Sequence, residues 1–549
     1  MTLLLRVLTL SLSAVSLPLL ASTTLVENVK GYTLNSSGEL VSFNALLIED
    51  GKVVSLDAET PQADTVIDGK GKTLIPGLID AHGHLLGLGA NLLEVDVRES
   101  GSAKEAAEAV AAYAFANPQQ IWITGRGWNQ ELWPDRAFPT AAMLDKQISD
   151  RPVWLTRVDG HAGWANSEAL ALAGITPETP DPEGGQIIRD ADGNATGVLI
   201  DNAMAMVEQH MPTASVAQYD AQLEAAGEQL LSLGVTSMHD AGISRDVYDF
   251  YLKRAVEGTL PVRVYAMIAA TDPELNTMLE NGLIDSADDF LEIKSVKAYG
   301  DGALGSRGAA LLKPYSDAPH QHGLMLTQPD DFDALFTHII SNGFQLNFHA
   351  IGDRANHLAL NQFEKTFNTT GGKALRNRIE HAQVVAVEDL PRFAELEVLP
   401  SMQPTHATSD MNMAEDRIGQ KRMKGAYAWQ TLLNSGIALP LGSDFPVELA
   451  NPFYGIHAAV TRQDRNNQPV EGWYAHEAMT LKQAFRGFTL DAAYAAHMEQ
   501  TLGTLEPGKW ADFLLIDRDL FNIPEEDLWK VQVLETYLAG EKVYDATGR

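Results

Sequence analysis

The stretch TLIPGLIDAHGHLLGLG, from Thr73 to Gly89, joins an apolar run to two histidines separated by one glycine. Residues i and i+2 of a strand lie on the same face, so the side chains of His82 and His84 are expected to project in one direction. Two neutral imidazole nitrogens aimed at one point supply half of a tetrahedral metal shell. An isolated HxH pair also fits two loop histidines without a common partner, so the other residues of the chain must distinguish these interpretations.

Length and composition restrict the class of protein. A chain of 549 residues is long enough for a barrel and an accessory domain. Its 73 Asp and Glu residues outnumber 40 Lys and Arg residues, which argues against nucleic acid and an anionic membrane surface as partners. The sequence contains no cysteine, which excludes disulfides, thiolate metal sites and cysteine nucleophiles. A transition-metal site must therefore use His, Asp, Glu or a modified Lys.

The amino-terminal residues MTLLLRVLTLSLSAVSLPLLASTT follow the pattern of a secretory signal peptide. A basic residue precedes an apolar run from Val7 to Leu20, and small residues follow the run. The run is shorter than the ~20 residues of a membrane span, although an uncleaved anchor fits the same pattern. We expect residues 1–22 to be a signal peptide and the mature protein to be periplasmic or secreted, with no membrane association after cleavage.

Residues 23–75 and 500–549 alternate apolar and polar residues between turn residues, as short strands do. We expect these two ends to form one small β-sandwich module. Residues 76–499 alternate strand-like and helical segments, which predicts an α/β fold, a (β/α)8 TIM barrel. The candidate strands are Leu78–Ala81, Val235–Met238, Val262–Ile268, Ile293–Ala298, Phe344–Phe348, Arg378–Glu380, Val398–Met402 and Ala438–Leu441. The long gap after the first strand predicts an inserted subdomain at about residues 100–230.

Polar side chains follow several of these strands, at the edge where barrel enzymes hold their chemistry. They are His82, His84, His239, Asp240, Lys297, His349, His381 and Asp444. The 32 residues from His349 to His381 match one βα unit, and the 63 residues from His381 to Asp444 match two. This common register indicates one site far more specifically than the HxH pair does.

With these residues placed, the chain resembles the amidohydrolase superfamily. More narrowly, it resembles the YtcJ-like group of the amidohydrolase-3 family, which includes N-substituted formamide deformylases. The matching segments are IPGLIDAHGH, GVTSMHDAG, VKAYGDGALGSRGAALL, NFHAIGDRAN, RIEHAQ, LGSDFPV and GTLEPGKWADFLLID. The segment DGHAGWANSEALALAGI also resembles the inserted region of that group.

The resemblance implies two divalent metal ions within the barrel mouth, and it favours Zn²⁺ as the metal. It implies that His82, His84 and Asp444 bind one ion, that His349 and His381 bind the other, and that a CO2-derived carbamate on Lys297 bridges both. Strand alternation places Lys297 and Lys294 on opposite faces, so only one of these lysines can serve. The alternatives are a salt-bridged Lys297 beside a mononuclear centre, and buried histidines with satisfied hydrogen bonds.

These expectations predict a metal-dependent amidohydrolase that cleaves a non-peptide C–N bond of a small-molecule amide, such as an N-substituted formamide. Metal binding lowers the pKa of water from about 15.7 to about 7, so hydroxide is available to attack a polarised carbonyl. Asp444 is suited to take the proton of the nucleophile and pass it to the leaving nitrogen. The segment GDGALGSR lacks the GxSxG elbow of serine hydrolases.

Two other functions remain open. One is a mononuclear deaminase or lactonase, and the other is a non-enzymatic exported binding or regulatory protein. A homo-oligomer is compatible with each of these functions. Several side chains suit either the wall of the mouth or packing and support roles. They are Trp128, Trp133, His161, Trp164, His239, Asp240, Tyr299 and Arg307.

Overall fold

The computed structural model describes residues 22–58 and 62–548, and the first part of the described chain is a run of short strands. These strands are β1 (Thr23–Glu27), β2 (Lys30–Leu34), β3 (Leu40–Phe43), β4 (Leu46–Glu49), β5 (Lys52–Leu56), β6 (Thr65–Asp68) and β7 (Thr73–Pro76). The signal peptide predicted for residues 1–22 lies outside the described residues except for Ser22. Within the described ranges, no helix is both long and apolar enough to cross a membrane.

The barrel begins with β8 (Leu78–Gly83), which ends at the HxH pair and leads into helix α1 (Leu85–Leu93). An inserted subdomain follows, with β9 (Val95–Asp96), α2 (Ala103–Ala116), β10 (Ile123–Trp128), α3 (Ala141–Asp145), β11 (Val153–Arg157), β12 (Ala162–Ala165), α4 (Ser167–Leu172), β13 (Gly185–Arg189), β14 (Ala195–Asp201) and α5 (Ala205–Glu208). Its strands form one sheet in the order β13-β14-β12-β11-β10-β9. Trp128, Trp133 and Trp164 are buried in the core of this subdomain and do not cap the barrel mouth.

The chain then returns to the barrel and alternates strands with helices. The elements are α6 (Val216–Ser232), β15 (Val235–Ile243), α7 (Arg245–Glu257), β16 (Arg263–Ala269), α8 (Leu275–Glu280), β17 (Ile284–Asp285), β18 (Leu291–Tyr299), α9 (Phe332–Ser341), β19 (Gln345–Ala350), α10 (Asp353–Thr369), β20 (Arg378–His381), α11 (Leu390–Leu396), β21 (Leu399–Ser401), α12 (Pro404–Asp410), α13 (Ala414–Arg422), α14 (Trp429–Asn434), α15 (Pro452–Thr461), α16 (Leu481–Gly487) and α17 (Leu490–Ala495). The parallel barrel strands follow the order β21-β20-β19-β18-β16-β15-β8. This arrangement confirms the predicted α/β barrel.

The eighth barrel position differs from the prediction, because Ala438–Leu441 is not a regular strand. The segment instead makes separate hydrogen bonds to both ends of the sheet. Met402 N donates to Pro440 O at 3.1 Å on the side of β21, and Ala81 N donates to Leu441 O at 3.0 Å on the side of β8. Since Pro440 has no N–H to contribute, a continuous ladder cannot form there. The segment nevertheless closes the barrel and brings the following loop to the mouth.

The last strands are β22 (Phe513–Ile516), β23 (Val533–Leu538) and β24 (Glu541–Asp545), and they join the amino-terminal strands. The two sheets have the orders β5-β4-β1-β6 and β24-β23-β22-β7-β2-β3. Strand β22 pairs antiparallel with β7, with Phe513 opposite Pro76. Val26, Leu46 and Phe513 share one hydrophobic core, so the two chain ends form the predicted β-sandwich. Strand β7 leads into β8 through Gly77 alone, so the module and the barrel are adjacent along the chain.

Candidate metal centre

The HxH pair at the end of β8 faces the loop that follows the eighth barrel segment. His84 Nε2 lies 3.1 Å from Asp444 Oδ1, and His82 Nε2 lies 3.6 Å from the same oxygen. His82 is fully buried, whereas the His84 side chain is one-third exposed. The backbone places Asp444 there as well, since Asp444 N donates to His82 O at 2.7 Å. The first and last segments of the barrel thus meet at one point.

Two further histidines complete the group. His82, His381 and Asp444 each offer one ligand atom, and these three atoms lie within 4.8 Å of one another. The ring of His349 is centred 4.5 Å from that of His381. Within the described part of the chain, the buried His349 Nε2 has no hydrogen-bond partner. An unpartnered buried nitrogen is costly, so a bound cation suits this position.

Lys297 lies at the end of β18 and is buried in the same group. Its Nζ is 3.3 Å from His82 Nε2 and 4.8 Å from the centre of the Tyr299 ring. Burial lowers the pKa of Lys297 to about 8, which increases the fraction of neutral amine near neutral pH. Lys294 projects from the opposite face of the strand, as predicted, and its Nζ donates to Asp285 Oδ2 at 3.0 Å.

The backbone is left-handed at two of these positions. His381 has φ 74° and Asp444 has φ 61°, values that non-glycine residues seldom adopt. Along a regular strand, His381 would point away from the face that carries Glu380. The left-handed conformation instead turns its ring into the mouth, 4.9 Å from the ring of His82. Backbone strain of this kind is concentrated at functional sites.

Three supporting side chains were missed by the sequence prediction. Arg378 and Glu380 form a fully buried ion pair, with Nε and Oε1 2.7 Å apart, and Glu380 Oε2 also accepts a hydrogen bond from His82 Nδ1. His381 Nδ1 donates to Gln403 Oε1 at 2.7 Å. Because the Nδ1 atoms are bonded to Glu380 and Gln403, both histidines present Nε2 to the centre, as metal-binding imidazoles do. The available signal was the pair of charged residues at alternate positions of RIEH, in a strand expected to be buried in the barrel.

The sequence analysis left the roles of His239, Asp240 and Arg307 undecided, and the structure places these three residues in different environments. His239 Nδ1 accepts from Arg378 Nη1 at 2.9 Å, beneath the metal group. Asp240 accepts from Tyr251 Oη at 2.6 Å and from the backbone N–H of Leu85 at 3.2 Å, so it anchors the start of α1. Arg307 pairs with Asp317 at 2.9 Å, outside the cavities that open on the group. His239 and Asp240 thus support the structure around the group.

His161 is a residue of the inserted subdomain that reaches the mouth. Its ring is centred 5.1 Å from that of His349, and its Nδ1 lies 2.7 Å from Asp201 Oδ1. Burial alone lowers the pKa of His161, but the hydrogen bond and charge of Asp201 outweigh burial and raise it. The inserted subdomain therefore supplies an imidazole to the wall of the site.

Two cavities, of about 280 Å³ and about 690 Å³, open on this group. Both are lined by His161, His349, His381 and Asp444. Burial alone raises the pKa of Asp444, but the hydrogen bond from His84 and the nearby imidazoles hold it well below its usual range. Asp444 is therefore a carboxylate at neutral pH, able to bind a cation and to accept a proton.

A parallel α/β barrel with histidines, a lysine and an aspartate gathered at the carboxyl ends of its strands defines a metal-dependent hydrolase of the amidohydrolase superfamily. The chain belongs to the amidohydrolase family, whose model matches residues 65–544. It is 33% identical to Protein LONG AFTER FAR-RED 3 of Arabidopsis thaliana, covering 95% of this chain and 91% of that protein. It is 31% identical to the putative amidohydrolase YtcJ of Bacillus subtilis, covering 94% and 98%.

The N-substituted formamide deformylase of Arthrobacter pascens is 26% identical over 92% of this chain and 95% of its own length. Among solved structures, an uncharacterized metal-dependent hydrolase from Pyrococcus horikoshii superposes with a TM-score of 0.75 and 28% identity. The superposition covers 92% of this chain and 99% of that one. The predicted resemblance to YtcJ-like proteins and formamide deformylases is confirmed.

Proposed function

We propose that the protein hydrolyses the C–N bond of a non-peptide amide at a centre that holds two divalent metal ions. Zn²⁺ is the metal that we favour. The observation that carries this proposal is the convergence of six side chains on the mouth of one barrel. They are His82, His84, Lys297, His349, His381 and Asp444. The name of the formamide deformylase relative supports an amide as the substrate class.

The arrangement of the donor atoms suits a bound cation. Nε2 of His82 and Nε2 of His381 face a carboxylate of Asp444, while their Nδ1 atoms are already bonded to Glu380 and Gln403. We assign His82, His84 and Asp444 to one ion. His349, whose Nε2 lacks a partner among the described residues, and His381 would hold the other.

Lys297 fits the centre only after modification, because a free ammonium cannot bind a cation. In the described structure it forms no ion pair with a carboxylate, and its nearest polar contact is a histidine nitrogen at 3.3 Å. Addition of the neutral amine to CO2 forms an N–C bond and releases one proton, which leaves a carbamate with two oxygens. That group would bridge the two ions and reduce their net charge.

The ions, when bound, would polarise the amide carbonyl and lower the pKa of water so that hydroxide is available at neutral pH. Asp444 would accept the proton of the nucleophile, because its carboxylate is ionised and lies beside His84 at 3.1 Å. It would then return that proton to the leaving nitrogen, since an amine leaves poorly as an anion. Enclosure between the barrel and the inserted subdomain would strengthen each of these electrostatic contacts.

A mononuclear deaminase or lactonase is the second candidate, and one observation favours it. The atoms of His82, His381 and Asp444 form a compact three-ligand set by themselves. Three protein ligands and an open position are typical of a catalytic zinc site. In this alternative, His349 and Lys297 would contact the substrate rather than a second ion.

Metal analysis of the purified protein, followed by a substrate screen with that metal supplied, tests both candidates. About two equivalents of metal per chain, with hydrolysis of N-formyl, N-acyl or cyclic amides, would support the first. One equivalent with release of ammonia from an amino-substituted ring would support the second. Absence of hydrolysis in a fully metal-loaded protein would contradict both and favour a binding or regulatory role.

We also propose that the protein is exported to the periplasm or secreted, which the signal-peptide pattern at residues 1–22 supports. Amino-terminal sequencing of the exported protein should show a first residue between positions 22 and 25. A periplasmic protein that begins at Met1 would contradict cleavage.

A further inference from the structure

An arginine of the inserted subdomain lines the larger cavity above the metal group. Arg126 belongs to β10, and it shares that cavity with His84, Lys297 and Asp444. Opposite the guanidinium lies Gly160, where a Cβ atom would come within 3.2 Å of Arg126 Nη2. The absence of a side chain at position 160 leaves the approach to this guanidinium open from the cavity.

The hydrogen bonds of Arg126 leave much of its donor capacity unused. Nη2 donates to the carbonyl of Val158 at 3.0 Å, whereas the buried Nε has no partner among the described residues. In the same part of the chain, no carboxylate oxygen lies within 4.0 Å of this guanidinium. A guanidinium carries five donors in a planar fork that matches a carboxylate. Arg126 is half-buried, and a half-buried charge without an ion-pair partner is costly, so a ligand that completes the pair is expected.

Several other charged side chains near the mouth are paired within the protein. Arg157 pairs with Asp159, and His161 pairs with Asp201. Arg417, which lies behind the smaller cavity, pairs with Glu131. The chain carries 73 Asp and Glu residues against 40 Lys and Arg residues. An arginine without a described carboxylate in ion-pair contact, in such an acidic chain, therefore requires an explanation.

A second arginine strengthens the positive potential at this side of the cavity. Besides burial, the charges that act on Arg126 are those of Asp444, Arg98 and Asp159, and the carboxylate of Asp444 acts most strongly. Arg98 Nη1 donates to the carbonyl of Val447 at 2.7 Å, and its other terminal nitrogen reaches the carbonyl of Pro446. It thereby holds the loop that follows Asp444, and its own charge also has no carboxylate within 4.0 Å in the described ranges. Burial lowers the pKa of Arg126 to about 10, so this guanidinium stays charged at neutral pH.

We propose that Arg126 binds a carboxylate on the substrate, so that the preferred substrates are amides that also carry a carboxylate, such as N-acyl amino acids. This proposal rests on the amide hydrolysis proposed above for the chemistry at the ions. The cavity of about 690 Å³ has room for a ligand that reaches from the metal group to the guanidinium. Arg126 would orient the amide and select against neutral analogues, without taking part in bond cleavage.

The test uses three matched pairs of amides that differ only by a carboxylate. They are N-acetylglycine and N-methylacetamide, N-acetylalanine and N-ethylacetamide, and N-acetylphenylalanine and N-(2-phenylethyl)acetamide. Calorimetric titration of the metal-loaded protein should show ~10- to 100-fold tighter binding of the acid in at least one pair, as charge-assisted hydrogen bonds give. Arg126→Gln should remove that preference and leave the affinity for the neutral amide unchanged.

Arg126→Lys is the second variant, since it keeps the charge but loses the planar fork, and it should retain part of the preference. Arg136→Gln is the matched control, because Arg136 is an exposed arginine of the same subdomain that lies outside both cavities. It should bind every probe as the wild type does. Affinity and hydrolysis of each probe are recorded as separate quantities, so the test distinguishes the two proposals.

No preference for the acid in any of the three pairs would overturn the inference. A preference that survives in Arg126→Gln would also overturn it, because the carboxylate would then be held by the ions or by another group. If Arg126→Gln does not fold, a reduced preference for the acid in Arg126→Lys supports the inference, and an unchanged preference refutes it. An Arg126-dependent preference without hydrolysis of any amide would retain the carboxylate site and reject the proposed reaction.

Discussion

Replacing Glu380 by Gln should show how much a residue that supports the metal ligands contributes to protein stability and to metal binding. Glu380 is fully buried, its Oε1 lies 2.7 Å from Arg378 Nε, and its other oxygen accepts from His82 Nδ1. Gln keeps the size of the side chain but removes its charge. The variant therefore leaves the Arg378 guanidinium buried without its counter-ion and weakens the contact that orients His82.

The magnitude follows from these two contacts. Removing one partner of a buried ion pair costs about 3–5 kcal/mol. Because the Gln carbonyl can still accept from Arg378, we expect the lower end, a loss of ~3 kcal/mol in the free energy of unfolding. Loss of the partner that orients a ligand histidine typically weakens metal binding ~10- to 100-fold.

Urea unfolding of the metal-free protein measures the first effect, and competition with a chelator measures zinc affinity. Glu397→Gln is the matched control, since Glu397 is an exposed residue whose salt bridge with Lys373 is 3.0 Å long. Exposed pairs contribute ~0.2–1 kcal/mol, so this control should change neither stability nor zinc affinity appreciably. A loss of less than ~1 kcal/mol in Glu380→Gln would refute the buried-pair estimate. Unchanged zinc affinity would refute the orienting role.

Three further changes test other parts of the site. Lys297→Ala should lower both metal content and activity, and short-chain carboxylic acids should partly restore both; full metal content and rate would exclude a bridging role. Asp444→Asn should retain part of the metal while kcat falls ~10²–10⁴-fold, and measuring both on one preparation would show whether Asp444 is only a ligand. Burial raises the pKa of Asp410 from 3.8 to about 6, so the folded state holds an extra proton between these values and stability falls as pH rises from about 4 to about 6. Asp410→Asn should remove that fall in urea midpoints measured from pH 4 to 7, and parallel profiles for variant and wild type would contradict this assignment.

Much of the barrel could be predicted from local pattern, because buried parallel strands have characteristic apolar runs and similar spacing along the chain. The candidate strand Arg378–Glu380 corresponds to β20, and Phe344–Phe348 corresponds to β19. Since barrel strands are parallel, their carboxyl ends meet at one mouth. The polar residues that follow the strands could therefore be placed together before any distance was known.

The eighth segment and the direction of His381 could not be predicted in this way. Alternation along β20 places His381 on the face opposite to Glu380, and only its φ of 74° brings the ring to the mouth. Nor did the apolar run before Gly442 show that Pro440 would interrupt the ladder while the segment still closed the barrel. Both features depend on packing that holds an unfavourable local conformation.

The sequence by itself determined the class of fold and the residue types available for metal chemistry, because periodicity and composition are local properties. Tertiary structure alone decided which distant side chains meet. His82 and Glu380 are 298 residues apart in the chain, and His84 and Asp444 are 360 residues apart. Arg126 faces the metal group only because the inserted subdomain packs over the mouth. Such contacts depend on the closure of long loops, whose free energy comes from burial across the whole domain rather than from any short segment.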